Sequence, residues 1–241
     1  NPTGSYDTAL QTAAPLYLEI EADGDLLSPR QAIASAPVAV AAGIHPTPTD
    51  RFEACAEGLT IADHQTGLLW EKKTGTYDPS FPESKICGTP GSDCSEPNDV
   101  NNRYAWSTTL PAPDGNAFTD FLAKLNDPFF GTAATPADVT GCFAGHCDWR
   151  LPTISELTTI LVGSGGAPGQ DPLCFAVPCI DPSFPDLQTR TAASSYWSGS
   201  SRATDANSAW IASFLNGVTS FGNKFGSTLF TRAVRTGSCD E

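Results

Sequence analysis

Methionine is missing from the 241-residue chain altogether, position 1 included. We therefore read the chain as a processed or truncated product, with any leader outside it. Basic residues are scarce: 13 Lys and Arg stand against 27 Asp and Glu, a formal net charge of −14 with a sequence pI near 4.4. So acidic a surface repels a phosphate backbone, and nucleic acid is excluded as a partner. No apolar run approaches the ~18 to 20 residues of a membrane span, so membrane insertion is not expected. The spacings of common catalytic and metal sites are lacking too. There is no Cys-x-x-Cys for zinc or thiol redox chemistry. There is no Gly-x-Ser-x-Gly nucleophile elbow, because Gly163-Ser164-Gly165-Gly166 has the wrong spacing and reads as a flexible loop. Nor is there an Asp-x-Asp-x-Asp-Gly calcium loop, Asp23-Gly24-Asp25 being better read as a turn.

What the chain does contain is material for a core. Apolar residues make up 40% and charged residues 17%, a balance that a folded domain has and a disordered acidic tail lacks. Eight cysteines, an even number without metal-ligand spacing, point to disulfides and to an extracellular or cell-surface location. With 21 Gly and 20 Pro, short regular elements are expected to hold long connections.

Along the chain, residues 1–43 read as a cysteine-free first segment. Leu16 to Glu21 alternates as a half-buried strand, Asp23-Gly24 supplies a turn, and the small side chains of Ala32 to Ala42 need an external surface to pack on. Residues 44–50, with Pro46 and Pro48, read as a linker. From 51 to 241 the signals are α+β. Leu59 to Asp63 and Leu68 to Glu71 flank the turn His64 to Gly67. Phe118, Phe121, Leu122 and Leu125 recur at three and four residues, predicting a short helix with Asn116 as its cap. A second helix is predicted after Pro152, where Thr153 and Glu156 have capping-box spacing and Ile154, Leu157, Ile160 and Leu161 face inward. From Tyr196 to Arg235 apolar and polar residues alternate between glycine breaks, and Asn216-Gly217 is a strong hairpin signal. The pentapeptide Asp78-Pro79-Ser80-Phe81-Pro82 recurs as Asp181-Pro182-Ser183-Phe184-Pro185, which we read as two similar turns, each anchored by a buried Phe.

Several of these landmarks carry a family resemblance. Thr66-Gly67-Leu68-Leu69-Trp70-Glu71-Lys72, Asp99 to Ser107, Phe118 to Asn126, Gly145-His146-Cys147-Asp148-Trp149-Arg150-Leu151-Pro152-Thr153, Glu156-Leu157, Tyr196-Trp197-Ser198-Gly199-Ser200, Ala209-Trp210, Asn216-Gly217 and Val234-Arg235 stand in one order. That order resembles the C-terminal domain of the legionella collagen-like adhesin, over roughly residues 51 to 237. The resemblance implies a C-type-lectin-like fold with two short helices and a loop-rich antiparallel sheet, here preceded by a short β-containing segment. Residues 17–37 look like a module that precedes head domains of fibre-borne surface proteins, although Ala36-Pro37-Val38-Ala39 departs from its usual ending. The domains implied are a fibre- or stalk-associated oligomerisation base, the linker, and a disulfide-bonded head.

Cys87 and Cys94, Cys142 and Cys147, and Cys174 and Cys179 are each close enough to close small loops, which leaves Cys55 and Cys239 to clamp the domain's ends. Eight cysteines allow roughly a hundred pairings, so other connectivities stay open. Catalysis is not expected. His146 with Asp148 could be a base and its orienter, yet the pair sits between Cys147 and Trp149 and suits a structural or surface role. Arg150 is expected to pair with a carboxylate such as Glu71 or Glu156. Glu96-Pro97-Asn98 mimics a sugar-selecting tripeptide of calcium-dependent lectins but lies early in the domain. No cofactor is expected, with a calcium site kept open where Asp93, Glu96, Asn98, Asp99, Asn101 and Asn102 gather oxygens in one loop.

The strongest binding signal lies between Trp197 and Phe230. We take Trp197, Ser198, Ser200, Arg202, Asn207, Asn216, Asn223, Lys224, Phe225 and Ser227 as the candidate ligand-binding residues, because short hydrogen-bonding side chains beside aromatics suit adaptable recognition. An ordinary polar sheet face is the competing reading. The five tryptophans, Trp70, Trp106, Trp149, Trp197 and Trp210, are expected in the core rather than as sugar platforms, with Trp197 the first candidate for an exception. The resulting expectation is a non-enzymatic, adhesin-like domain that recognises a glycan or a protein and assembles as a homo-oligomer, a trimer by preference. The alternatives are a structural subunit of an extracellular fibre and a retroelement-diversified receptor-binding protein. The family relative suggests sulfated polysaccharides, but a charge of −14 favours neutral glycans or proteins unless Arg202, Lys224 and Arg232 form a basic patch.

Overall fold

In the computed structural model, the described residues are 51–129, 141–162, 174, 177–185 and 190–239, together with four short strands nearer the N-terminus. The chain divides into two compact units, Asn1–Thr47 and Pro48–Glu241. In the first, β1 (Tyr17–Leu18) pairs antiparallel with β4 (Gln31–Ala32), and β2 (Glu21–Ala22) with β3 (Asp25–Leu26). The turn expected at Asp23-Gly24, the small-residue stretch beyond Ala32, the linker at 44–50 and the Gly163 to Gly166 loop lie outside the described residues.

The second unit is α+β, and beside its two larger sheets it holds a short antiparallel pair, β8 (Tyr104–Ala105) with β12 (Thr228–Leu229). Its first sheet, in the order β13-β7-β6-β5, joins β5 (Phe52–Ala54), β6 (Thr60–Asp63), β7 (Leu68–Glu71) and β13 (Val234–Thr236). The expected hairpin is there. Thr66 and Gly67 donate to Asp63 O, at 3.2 and 2.8 Å, and Gly67 takes φ +67°, a conformation that costs a residue with a Cβ. Every residue of β6 and β7 is buried. Arg51 ties this sheet to distant chain, donating to the Asp63 carboxylate at 2.8 Å, Thr159 O at 2.8 Å and Asp181 at 3.0 Å.

A π-helical segment, Ala117–Leu122, runs into α1 (Ala123–Leu125) and buries Ala117, Phe121 and Leu125. The periodicity is borne out, but Asn116 does not cap it. Its side chain instead accepts from Ala105 N at 2.5 Å and donates to Cys87 O, tying the helix start to two loops. Helix α2 (Ile154–Thr159) begins with the expected reciprocal capping box between Thr153 and Glu156. Leu157, Ile160 and Leu161 are buried. Arg150 grips Glu156 with two bonds of 2.7 and 2.6 Å, which selects Glu156 over Glu71 as its partner.

Of the two matching turns, both place an Asx contact, Ser80 N to Asp78 Oδ1 at 2.8 Å and Ser183 N to Asp181 Oδ1 at 2.9 Å. Only Phe184 is buried, however. Phe81 is 39% exposed and lies under the Arg103 guanidinium, so the expectation of two buried anchors is corrected at the first.

All eight cysteines are paired: Cys55–Cys239, Cys87–Cys94, Cys142–Cys147 and Cys174–Cys179. Four disulfides suit an oxidising, extracellular setting. Among the described residues no helix is long and apolar enough to cross a membrane.

Candidate functional site

The second sheet positions the candidate surface. It runs β11-β10-β9, from β9 (Ser195–Arg202), β10 (Asp205–Ser213) and β11 (Val218–Asn223). The Asn216-Gly217 signal falls in the β10 to β11 connection, where Gly217 N donates to Ser213 O at 2.9 Å. A period of two sorts the side chains. Ala209, opposite Gly222, and Ile211, opposite Trp197 and Ser220, share the face turned to the core. Gly222 suits this close approach, since a Cβ there would lie 3.2 Å from the Trp197 ring, tighter than ordinary contact.

The alternate positions form the other face, where Trp210 is directly opposite Phe221, Ala212 opposite Thr219 and Ser208 opposite Asn223. Helix α2 leans over one end, with Ser200 Oγ accepting from Ile154 N at 3.0 Å. Ile154, Ser155, Thr158, Trp210 and Thr219 line a shallow cleft of about 230 Å³ between helix and sheet. Beyond α2 the face is open. Phe221 is 46% exposed, the Arg202 guanidinium lies 3.8 Å over its ring, and Trp210 meets it edge-on at 6.4 Å.

The expected binding residues separate on this frame. Trp197 is not a ligand platform. It is fully buried with Nε1 donating to Tyr104 O at 2.9 Å, because its strand position faces the core. Ser198 is likewise buried and donates to Trp210 O at 2.7 Å. Lys224 is buried over the Trp106 ring, and Nζ donates to Ser201 Oγ at 2.7 Å and to Ala206 O at 2.8 Å. Removal from water lowers its pKa, with the Asp205 charge acting the other way. These three residues are structural and cannot touch a ligand in this conformation. Arg202 stands half-exposed on the open face, and Asn223 is exposed at its end with Oδ1 accepting from Phe225 N at 2.9 Å. Asn207 is exposed within β10, Asn216 and Phe225 are exposed on loops, and Ser200 and Ser227 are half-buried.

Two members of the open face, Trp210 and Phe221, were not expected. The signal for them was present: once Ala209 and Ile211 are inward, Trp210 between them must point the other way. The proposed basic patch does not form. Arg232 is 2% exposed and donates to Glu71 O at 2.8 Å and Thr191 Oγ1 at 3.1 Å, leaving Arg202 alone of the three toward solvent.

The other chemical candidates are committed elsewhere. In the loop considered for calcium, Asp99 pairs with Lys85 at 2.9 Å, Asn101 donates to Asp99 and to Thr76 O, and Asn102 donates to Glu96 O at 2.7 Å. Among the described residues no cluster of three or more His, Cys, Asp or Glu side chains is arranged for a metal ion. Asp148 binds Arg235 at 2.7 Å. Asp205 accepts from Ser208 Oγ at 2.6 Å and from Asn207 N at 3.1 Å; the Ser208 bond and then the Asn207 amide hold its carboxyl below the usual range.

No curated protein and no solved structure is matched by the chain. Residues 59–235, which span the capping box, the β9-β10-β11 sheet with its open aromatic face and the first sheet apart from its edge strand β5, match the Lcl C-terminal domain. The chain therefore belongs to the Lcl C-terminal domain family.

Proposed function

We propose that this protein is a non-enzymatic, adhesin-like binding domain of C-type-lectin-like fold, displayed outside the cell, and that it captures a glycan or protein ligand on the open face of the β9-β10-β11 sheet. The observation that carries this reading is the Arg202-Phe221-Trp210 cluster. A half-exposed aromatic with a guanidinium on its ring supplies apolar contact area and directional donors together, and Trp and Arg are enriched among the residues that carry binding energy at interfaces. Family membership, the disulfide framework and the sheet-and-loop architecture support the same reading.

A neutral ligand fits best. The molecule carries −14, and of the three cations that could offset this locally two are buried and bonded internally. Asn223, opposite Ser208 and exposed, adds amide hydrogen bonding at the end of the face. A glycan array with and without calcium tests this. Binding to neutral glycans that is calcium-independent and lost in Phe221→Ala supports the proposal; retention by that variant sends the ligand to another surface. The exposure of Leu215 and Phe225, 55% and 56%, favours a second reading in which the domain also assembles with copies of itself; separately, the small side chains of Ala32 to Ala42, too few to pack alone, lead us to propose a homotrimer through the N-terminal segment. Light scattering on the whole chain separates the two, since a stable monomer at micromolar concentration removes the trimer.

A further inference from the structure

Lys73 and Glu71 form a buried ion pair that the binding face does not use, and Asn98 is buried in the segment whose backbone pairs beside Lys73. Lys73 is 3% exposed, Glu71 is fully buried and Asn98 is 1% exposed. The Lys73 ammonium is 2.7 Å from Glu71 Oε1 and 4.5 Å from the centre of the Phe121 ring. Asn98 comes from another segment. Thr74 N donates to Asn98 O at 2.9 Å and Val100 N to Thr74 O at 3.0 Å, a parallel bridge between Thr74 and Asp99. That register makes Lys73 and Asn98 neighbours on one side of the pleat, opposite to Thr74 and Asp99. Tyr104, stacked on Phe121 at 5.1 Å, reaches the same loop through its hydroxyl, which donates to Pro97 O at 3.3 Å. Neither the oxygen nor the nitrogen of the Asn98 amide has a hydrogen-bond partner. An amide so buried and so unbonded is uncommon and calls for an explanation.

We propose that Lys73 and Asn98 are joined by an intramolecular isopeptide bond formed with the help of Glu71. Lys73 passes a proton to Glu71 Oε1, and the freed Nζ lone pair adds to Asn98 Cγ to form the new C–N bond. The Cγ–Nδ2 bond breaks with its electron pair on Nδ2, which takes up the proton held by Glu71 and the one further proton released by Nζ, and leaves as ammonium. The ammonium and the primary amide thus become one secondary amide plus ammonium, with charge conserved, no oxidant or reductant consumed and Glu71 restored. The surroundings suit each step. Burial lowers the Lys73 pKa, against the opposing pull of Glu71, and so favours the amine that attacks. Enclosure by Phe121 and Tyr104 keeps out the water that would compete, and the shared register holds both partners in place. The bond would weld the strand after β7 to the loop that follows the Cys87–Cys94 disulfide, a covalent tie fitting a surface protein under load.

Intact-mass measurement of the full chain after reduction and alkylation tests this. The expected result is a deficit of about 17 Da, the mass of ammonia, located by tandem spectra to a branched peptide joining residues 73 and 98. Glu71→Gln and Lys73→Arg should each restore the full mass. A wild-type chain of full sequence mass overturns the proposal. So does a deficit located at Asn216-Gly217, where ring closure to a succinimide loses the same mass. Because the wild-type spectrum is decisive by itself, a variant that fails to fold leaves the test intact.

Discussion

Trp197 and Trp210 illustrate how one residue's direction assigns its role. Trp197 has its indole N–H on Tyr104 O and its ring against Gly222, whereas Trp210 meets the exposed Phe221. Phe221→Ala should therefore weaken ligand binding about tenfold, the scale of one exposed aromatic contact, with an unchanged melting temperature. Titration calorimetry and a thermal melt on the same sample check both halves. Lys224→Met should do the reverse. It removes the hydrogen bonds that the amine gives to the Ala206 carbonyl and the Ser201 hydroxyl, at a cost of about 1 kcal/mol in denaturant unfolding.

Glu156 adds a pH dependence. The Arg150 hydrogen bonds, then those from Thr153, hold its carboxyl below the ordinary carboxylate range, against the effect of burial. A carboxyl with a folded pKa below its unfolded one contributes stability that is complete above the unfolded value, about 4.3, and is lost as pH falls through the folded value. Glu156→Gln should cost about 1 kcal/mol near neutrality, and its deficit relative to the parent should shrink below about pH 4. Urea unfolding at pH 7, 5 and 3 measures this; a deficit constant across that range would place the role of Glu156 outside its charge.

Among the elements, α2 was the most readable. Thr153, Glu156 and the inward Leu157, Ile160 and Leu161 are all local signals, and the helix forms where they stand. The segment from Ala117 to Leu125 was readable in its apolar spacing but not in its start. Asn116 turns to Ala105 and Cys87, partners that lie 11 and 29 residues away and that no local pattern reveals. Gly115 shows the same crowding. A Cβ there would overlap the backbone of Ala105 and Trp106, which cannot yield as a flexible side chain can. Gly115→Ala should thus destabilise by about 3 kcal/mol or more, read as a lower denaturation midpoint.

At the scale of the whole second unit, the Cys55–Cys239 disulfide closes a span of 184 residues around the sheet that holds that unit's two ends, with β5 at its edge and β13 beside β7. Restricting so long a loop in the unfolded chain is worth about 5 kcal/mol in the chain-entropy view. The double variant Cys55→Ala with Cys239→Ala should lose most of that, while removal of the Cys87–Cys94 loop should cost about half as much. Comparative guanidinium unfolding orders the two.

The acidic balance, the cysteine pairs close in sequence, the capped helix and the turn-flanked strands all follow from composition or from neighbours within a few residues. They could be read before any folding was considered. The binding face could not, because its members depend on which side of the β9-β10-β11 sheet meets the Trp197 core and on where α2 stops covering the other side. Lys224 and Arg232 look like surface cations in sequence; their burial depends on acceptors at Ala206, Ser201, Thr191 and Glu71 that only long-range packing brings within reach. Local chemistry dictates what each segment can form. Burial, which belongs to the assembled chain, selects which side chains stay in water to meet a partner.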